Sequence, residues 1–168
     1  MLLDIIKSRF SVRKFRDDPV RESDLHLILE AARLAPSARN LQEWHFVVIR
    51  DKGKRRQLTD ICRGQSFVAE APVTIAVCAG NTDYIMACGE KAYTVDAAIA
   101  AEHIVLQAAE LGLGTCWIGA FYQDGIARLI NLPENMRVVA LIPLGYPGVT
   151  RKERLVKEFT DIVSFDSF

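Results

Sequence analysis

The sequence predicts an α+β or mixed α/β fold, with roughly four strands and five helices, and three observations carry that reading. Apolar, β-branched runs at 44–50, 72–79 and 137–144 have strand character. Helical stretches lie between them in no regular strand-helix-strand rhythm, which argues against a doubly wound sheet. The stretch 94–111 is apolar almost all round, from Val95 through Ala98, Ile104 and Ala108 to Leu111, too much so for a helix with one wet face. Such a helix must be buried. Its alanines let another backbone come close, and in a chain of 168 residues a second copy is the expected cover for part of it.

Each element follows from local pattern. Residues 1–7 put Leu2, Leu3, Ile5 and Ile6 around Asp4, a short helix. The next segment, 8–16, reads as extended chain, with Arg9, Ser11 and Arg13 on one face and Phe10, Val12 and Lys14 on the other. Ser23 is the expected cap of a helix to residue 33 with Leu25, Ile28, Leu29 and Ala32 as its core face. Residues 35–43, rich in side chains that bond backbone or ligand, form a loop leading into the strand at 44–50. A charged surface helix is expected at 52–61 and one further turn at 65–69. The apolar run 72–79 is a central strand. Residues 80–93 are polar and carry no pattern. The long helix contains a polar stripe, Asp96, His103, Gln107 and Glu110, with Glu102 off it. It stops at Gly112, and a small-residue loop and short strand follow to 121. A helix at 123–130 is expected to end at Pro133, before a buried strand at 137–144 and a turn at Gly145, Tyr146 and Pro147. The tail carries Arg151, Lys152, Arg154 and Lys157 and a second apolar piece at 159–165. With no internal repeat or linker, one domain over 1–168 is expected.

Composition removes several functions. The 21 basic and 21 acidic side chains cancel, so no overall field favours nucleic acid or an anionic membrane, and any anion site must be local. No run of about 18 apolar residues is free of charge, and the N-terminus has no export pattern. The four widely spaced cysteines include no C-x-x-C pair and read as reduced, cytoplasmic thiols. None of the three histidines is assigned to catalysis, and His45, beside Trp44, is expected to be a satisfied core residue. Phosphate-loop, zinc-protease and nucleophile-elbow motifs are absent. An intact G-x-G-x-x-G is absent too, because Trp117 stands where its last glycine would be.

Four segments then stand out in order: SRFSVRKF at 8–15, APSARNLQEW at 35–44, ELGLGTCWIGAF at 110–121 and PLGYP at 143–147. Together they resemble the nitroreductase family across nearly the whole chain. The resemblance implies a three-layer sandwich with a mixed, mainly antiparallel sheet between helices. It further implies a homodimer joined through long central helices, with two shared FMN sites.

The site residues implied are Arg9, Phe10, Ser11, Arg13, Pro36, Ser37, Asn40, Gln65, Ile118, Gly119, Arg151 and Arg154, with no metal. A dianionic phosphate needs guanidinium forks and a hydroxyl, which Arg9, Ser11 and Arg13 supply. Arg13 has an alternative place at the pyrimidine edge of the ring. Ser37 and Asn40 correspond to residues near the flavin of the other subunit, although Glu43 stands where the family often has proline. Backbone N–H groups at Ile118 and Gly119 correspond to donors at flavin N5. Gln65 is assigned to the ribityl or pyrimidine edge, and Arg151, Lys152 or Arg154, the last first, to the phosphate.

The implied activity is ping-pong hydride transfer from NADH or NADPH, through N5, to nitroaromatic, quinone or similar small-molecule acceptors. The alternatives are a specialised flavin enzyme of the same fold (dehalogenase, enoate reductase or FMN-fragmenting enzyme) and a non-catalytic FMN-binding module.

Overall fold

The computed structural model describes residues 2–151 and 155–168. Ten elements matter here: α1 (Asp4–Ser8), α2 (Glu22–Arg33), β1 (Trp44–Ile49), α3 (Lys52–Ile61), α4 (Phe67–Glu70), β2 (Val73–Ala79), α5 (Ala92–Glu110), β3 (Gly114–Thr115), α6 (Gln123–Ile130) and β4 (Arg137–Gly145). The sheet order is β1-β2-β4-β3, and every strand pair is antiparallel. One isolated parallel bridge, Ser11 to Thr115, adds the N-terminal segment at the β3 edge.

The middle layer is β2, buried at every position, which its unbroken apolar sequence requires of a strand covered on both faces. Val73, Ile75, Val77 and Ala79, with Ala140, Ile142 and Leu144 of β4, pack against α2 and α5. Ala76, Cys78, Val138 and Leu141 face the other way, onto α3, α4 and α6 through Leu58, Val68 and Ile126. A bulge between Val77 and Cys78 leaves Val139 without a partner and sets Val138 opposite Cys78. The fold is thus a three-layer α+β sandwich.

Helix ends depart from the sequence reading in instructive ways. Ser23 caps nothing: α2 begins one residue earlier, and the Arg21 Nε to Asp24 Oδ2 bond of 2.8 Å closes its first turn. Pro133 does not stop α6, because Asn131 has already turned left-handed at φ 51°, the commonest way a helix ends. His45 is exposed on β1 and no core residue. The 80–93 region makes a small antiparallel bridge, Ile85 to Lys91, just before α5. Among the described residues no helix is long and apolar enough to cross a membrane.

One face of α5 is only partly covered among the described residues. Val95 is 37% exposed, and Ala98, Ile99, Leu106 and Ala109 are half-buried on the same side, with Glu102 exposed among them. These positions fall within about 100° around the helix. The tail adds Leu155, Val156, Phe159, Ile162 and Phe165, all exposed.

Candidate flavin site

The N-terminal segment is held straight by the edge it runs along. Val12 N–H donates to the Thr115 carbonyl at 2.8 Å, Arg16 N–H to Tyr146 at 2.9 Å, and Gly148 N–H to Lys14 at 2.8 Å. Val12 and Phe15 turn into the core at 1% and 7% exposure. Ser11 and Arg13 consequently face solvent, with Arg9 and Phe10 half-buried. Their convergence is visible in the Cys116 thiol: burial pushes its pKa up, while Arg13, Arg9 and a hydrogen bond from Ser11 pull it down. Both guanidinium groups and the hydroxyl thus lie on the side of the segment that faces Cys116. None of the three side chains makes a hydrogen bond or ion pair with another described residue apart from that thiol contact, so their donors are available to an anion.

Gly114 makes this close approach possible. A Cβ there would lie 2.9 Å from Val12 Cβ, closer than real Cβ atoms come, and a tight 3.1 Å from Pro147 Cγ. Gly114→Ala is accordingly expected to lower stability by about 1–3 kcal/mol, a melting temperature drop of roughly 2–4 °C per kcal/mol. It should weaken FMN binding as well. An unchanged melt and unchanged flavin titration would contradict this packing.

Three residues beyond Cys116 the chain reaches Gly119, exposed and with open space where a side chain would be. Fully extended, 115–119 spans at most about 14 Å. Ile118 is 2% exposed and exchanges both backbone bonds with Leu141 at 3.0 Å. Its N–H is bonded within the sheet and Ile118 anchors the segment, whereas the amides of Gly119 and Ala120 make no backbone bond among the described residues. Gln65 lies beside them, its Nε2 donating to the Cys62 carbonyl at 2.9 Å and the Ala120 carbonyl at 3.4 Å. Its Oε1 stays an acceptor.

Pro36, Ser37 and Asn40 are not with this group. Their loop is pinned at Ala38 to Asp96, in the early turns of α5, whereas Arg9 and Phe10 line a cleft with Ala109 and Gly112 at its far end. Thirteen residues of helix separate Asp96 from Ala109, about 20 Å. Of the tail cations, Arg151 is exposed, three residues after the Gly148 bond to Lys14. Lys152 and Arg154 lie outside the described residues.

A model of the nitroreductase family matches residues 6–72 and 62–146. The chain belongs to the nitroreductase family. A nitroreductase family protein from Clostridium novyi NT is 35% identical, with a TM-score of 0.80 over 86% of this chain and 83% of that one. An FMN-dependent nitroreductase from Clostridium difficile R20291 is 33% identical, with a TM-score of 0.81 over 98% of both chains. The NADH dehydrogenase of Thermus thermophilus is 32% identical over 171 residues, 83% of each chain.

For a nitroreductase the donor set fits FMN: an Arg-Ser-Arg anion clamp, and at most about 14 Å along the chain from Thr115 two amides beside a glycine with no side chain to block a flat ring. Two of the buried thiols contribute no competing chemistry. Burial pushes Cys62 and Cys78 to about 11, leaving them protonated and unreactive at neutral pH. Asp96 is what sequence reasoning missed. Its place in the polar stripe was visible, but the bond it makes, 58 positions away, was not.

Proposed function

We propose that two copies pair through the partly covered face of α5, and that each seam holds one FMN in a site neither copy completes alone. One observation carries this. In a single chain the phosphate clamp and the loop of Ser37 and Asn40 sit at opposite ends of α5. Antiparallel pairing of two α5 helices lays the loop end of one against the clamp end of the other. The apolar stripe of Val95, Ala98, Ile99, Leu106 and Ala109 is the surface such pairing needs, and the exposed apolar tail is suited to lie across the second copy. In this reading residues 1–168 form one FMN-binding domain.

The chain is a flavin-dependent NAD(P)H oxidoreductase of the nitroreductase family, with FMN as cofactor. FMN, when bound, would supply the hydride and two-electron chemistry. Arg9, Ser11 and Arg13 hold the phosphate, with Arg151 or Arg154 in support, and Phe10 packs beneath them. The Gly119 and Ala120 amides and Gln65 orient the ring, and Ser37 and Asn40 reach it from the second copy. No side chain here acts as acid or base. The protein's task is orientation and electrostatics.

Nicotinamide and acceptor use one open pocket in turn, a ping-pong order, and nitroaromatics, quinones and similar molecules are the acceptors. Four free cysteines among the described residues, three of them buried, suit the reducing cytoplasm. Anaerobic addition of NADH or NADPH to the yellow protein is expected to bleach it within seconds, and a nitroaromatic or quinone to restore the colour. Colour that survives both donors would mark a non-catalytic FMN-binding module instead.

A further inference from the structure

Asp96 is out of place on the buried side of α5. It is 6% exposed, and its Oδ1 accepts the Ala38 N–H at 3.0 Å. The loop it holds is conformationally costly. Arg39, Asn40 and Gln42 have φ of 53°, 55° and 54°, a region that asparagine tolerates and that costs other side chains.

Bonds within the loop fold it on itself: Asn40 N–H to the Ser37 carbonyl, Leu41 N–H to the Ala38 carbonyl, and Gln42 N–H to Ser37 Oγ at 3.0 Å. None of these says where the loop lies. Among the described residues, one hydrogen bond and one cation–π contact join 36–42 to the body: the Asp96 bond, and the Arg39 guanidinium 5.2 Å from the Tyr84 ring. The second joins an exposed side chain to a surface aromatic and is the weaker. A hydrogen bond from the backbone to a buried side chain is the stronger and more directional tie.

We propose that Asp96 is the positioning residue of the loop that carries Ser37 and Asn40. The inference rests on the FMN site described above and goes a step further, by naming what sets that loop. Asp96 lies on α5 next to Val95 and within one turn of Ala98 and Ile99. A single rigid helix therefore fixes both the pairing surface and the loop delivered across it, and the loop reaches the second copy's flavin already in register. The charged side chain touches no part of the flavin. It acts through the Ala38 amide.

The test uses the full-length chain and three variants, Asp96→Ala, Asp96→Asn and Ala38→Pro. Asn keeps an acceptor at the same position. Pro removes the donor N–H at the first position of a helical turn, where proline is tolerated, and Ser37 at ψ 159° already has the backbone that a following proline requires. Trypsin cleavage after Arg39 reads the loop without flavin, and fluorescence titration reads FMN affinity.

Asp96→Ala and Ala38→Pro should be cut at Arg39 at least fivefold faster than the parent and bind FMN at least tenfold more weakly, with Asp96→Asn within twofold of the parent on both. If Asp96→Ala does not fold, Ala38→Pro decides alone. Parental cutting in Ala38→Pro, or an Asp96→Asn protein as easily cut as Asp96→Ala, overturns the tie. Faster cutting with unchanged FMN affinity keeps the tie and removes Ser37 and Asn40 from the flavin, which overturns the site reading instead.

Discussion

Replacing Arg9 and Arg13 together by alanine is expected to raise the FMN dissociation constant by about two to four orders of magnitude while leaving the fold intact. Each guanidinium offers a charged hydrogen bond to the phosphate, and such bonds contribute about 1.5–3 kcal/mol each. Two of them sum to roughly 3–6 kcal/mol, and every 1.4 kcal/mol is about tenfold in affinity. The fold should survive because neither side chain forms an ion pair among the described residues, whereas the buried Val12 and Phe15 of the same segment stay in place. Lysine at both positions keeps the charge but loses the fork, so an intermediate affinity is expected. Fluorescence titration of FMN, at two salt concentrations, reads all three proteins. A double-alanine variant that binds within threefold of the parent would mean that the phosphate is held elsewhere.

Charging the partly covered face of α5 should have an effect of comparable size by another route. Ala98→Glu with Ile99→Glu places two carboxylates where pairing would bury them, close to the existing Glu102. In a symmetric pair that makes four new charges without partners, each costing several kcal/mol to desolvate. In a single chain both positions border solvent, and glutamate is a good helix former, so the subunit should fold with an unchanged far-ultraviolet circular dichroism spectrum. The expected product is a monomer that has lost FMN, because the clamp no longer meets the Ser37 loop. A variant that sediments as a monomer and keeps parental FMN affinity would separate pairing from binding and refute the shared site.

What could be read directly from the sequence was whatever depends on burial along a single element. The strand at Val73–Ala79 follows from an apolar run that only a doubly covered position tolerates, and α6 has the bounds its pattern gives. The long helix starts two residues early, at Ala92, because the Ile85 to Lys91 bridge before it delivers the chain there.

Features that depend on two distant segments were illegible. Nothing in the string RNLQ marks left-handed backbone at Arg39 and Gln42, and nothing local pairs Asp96 with Ala38. The two-residue β3 exists because β4 and the N-terminal segment flank it, not because of its own composition. The site was legible as motifs, since chemistry-bearing residues cluster in sequence. Its division between the two ends of α5 was not, nor was the capture of the Ile118 amide by Leu141.

The central claim is that FMN is bound at the seam of two copies, and native mass spectrometry of the flavin-reconstituted protein tests it most directly. One dominant species of twice the 18.8 kDa chain mass, carrying two FMN, is expected. A single chain that carries FMN by itself, or a pair that takes up none, would contradict it.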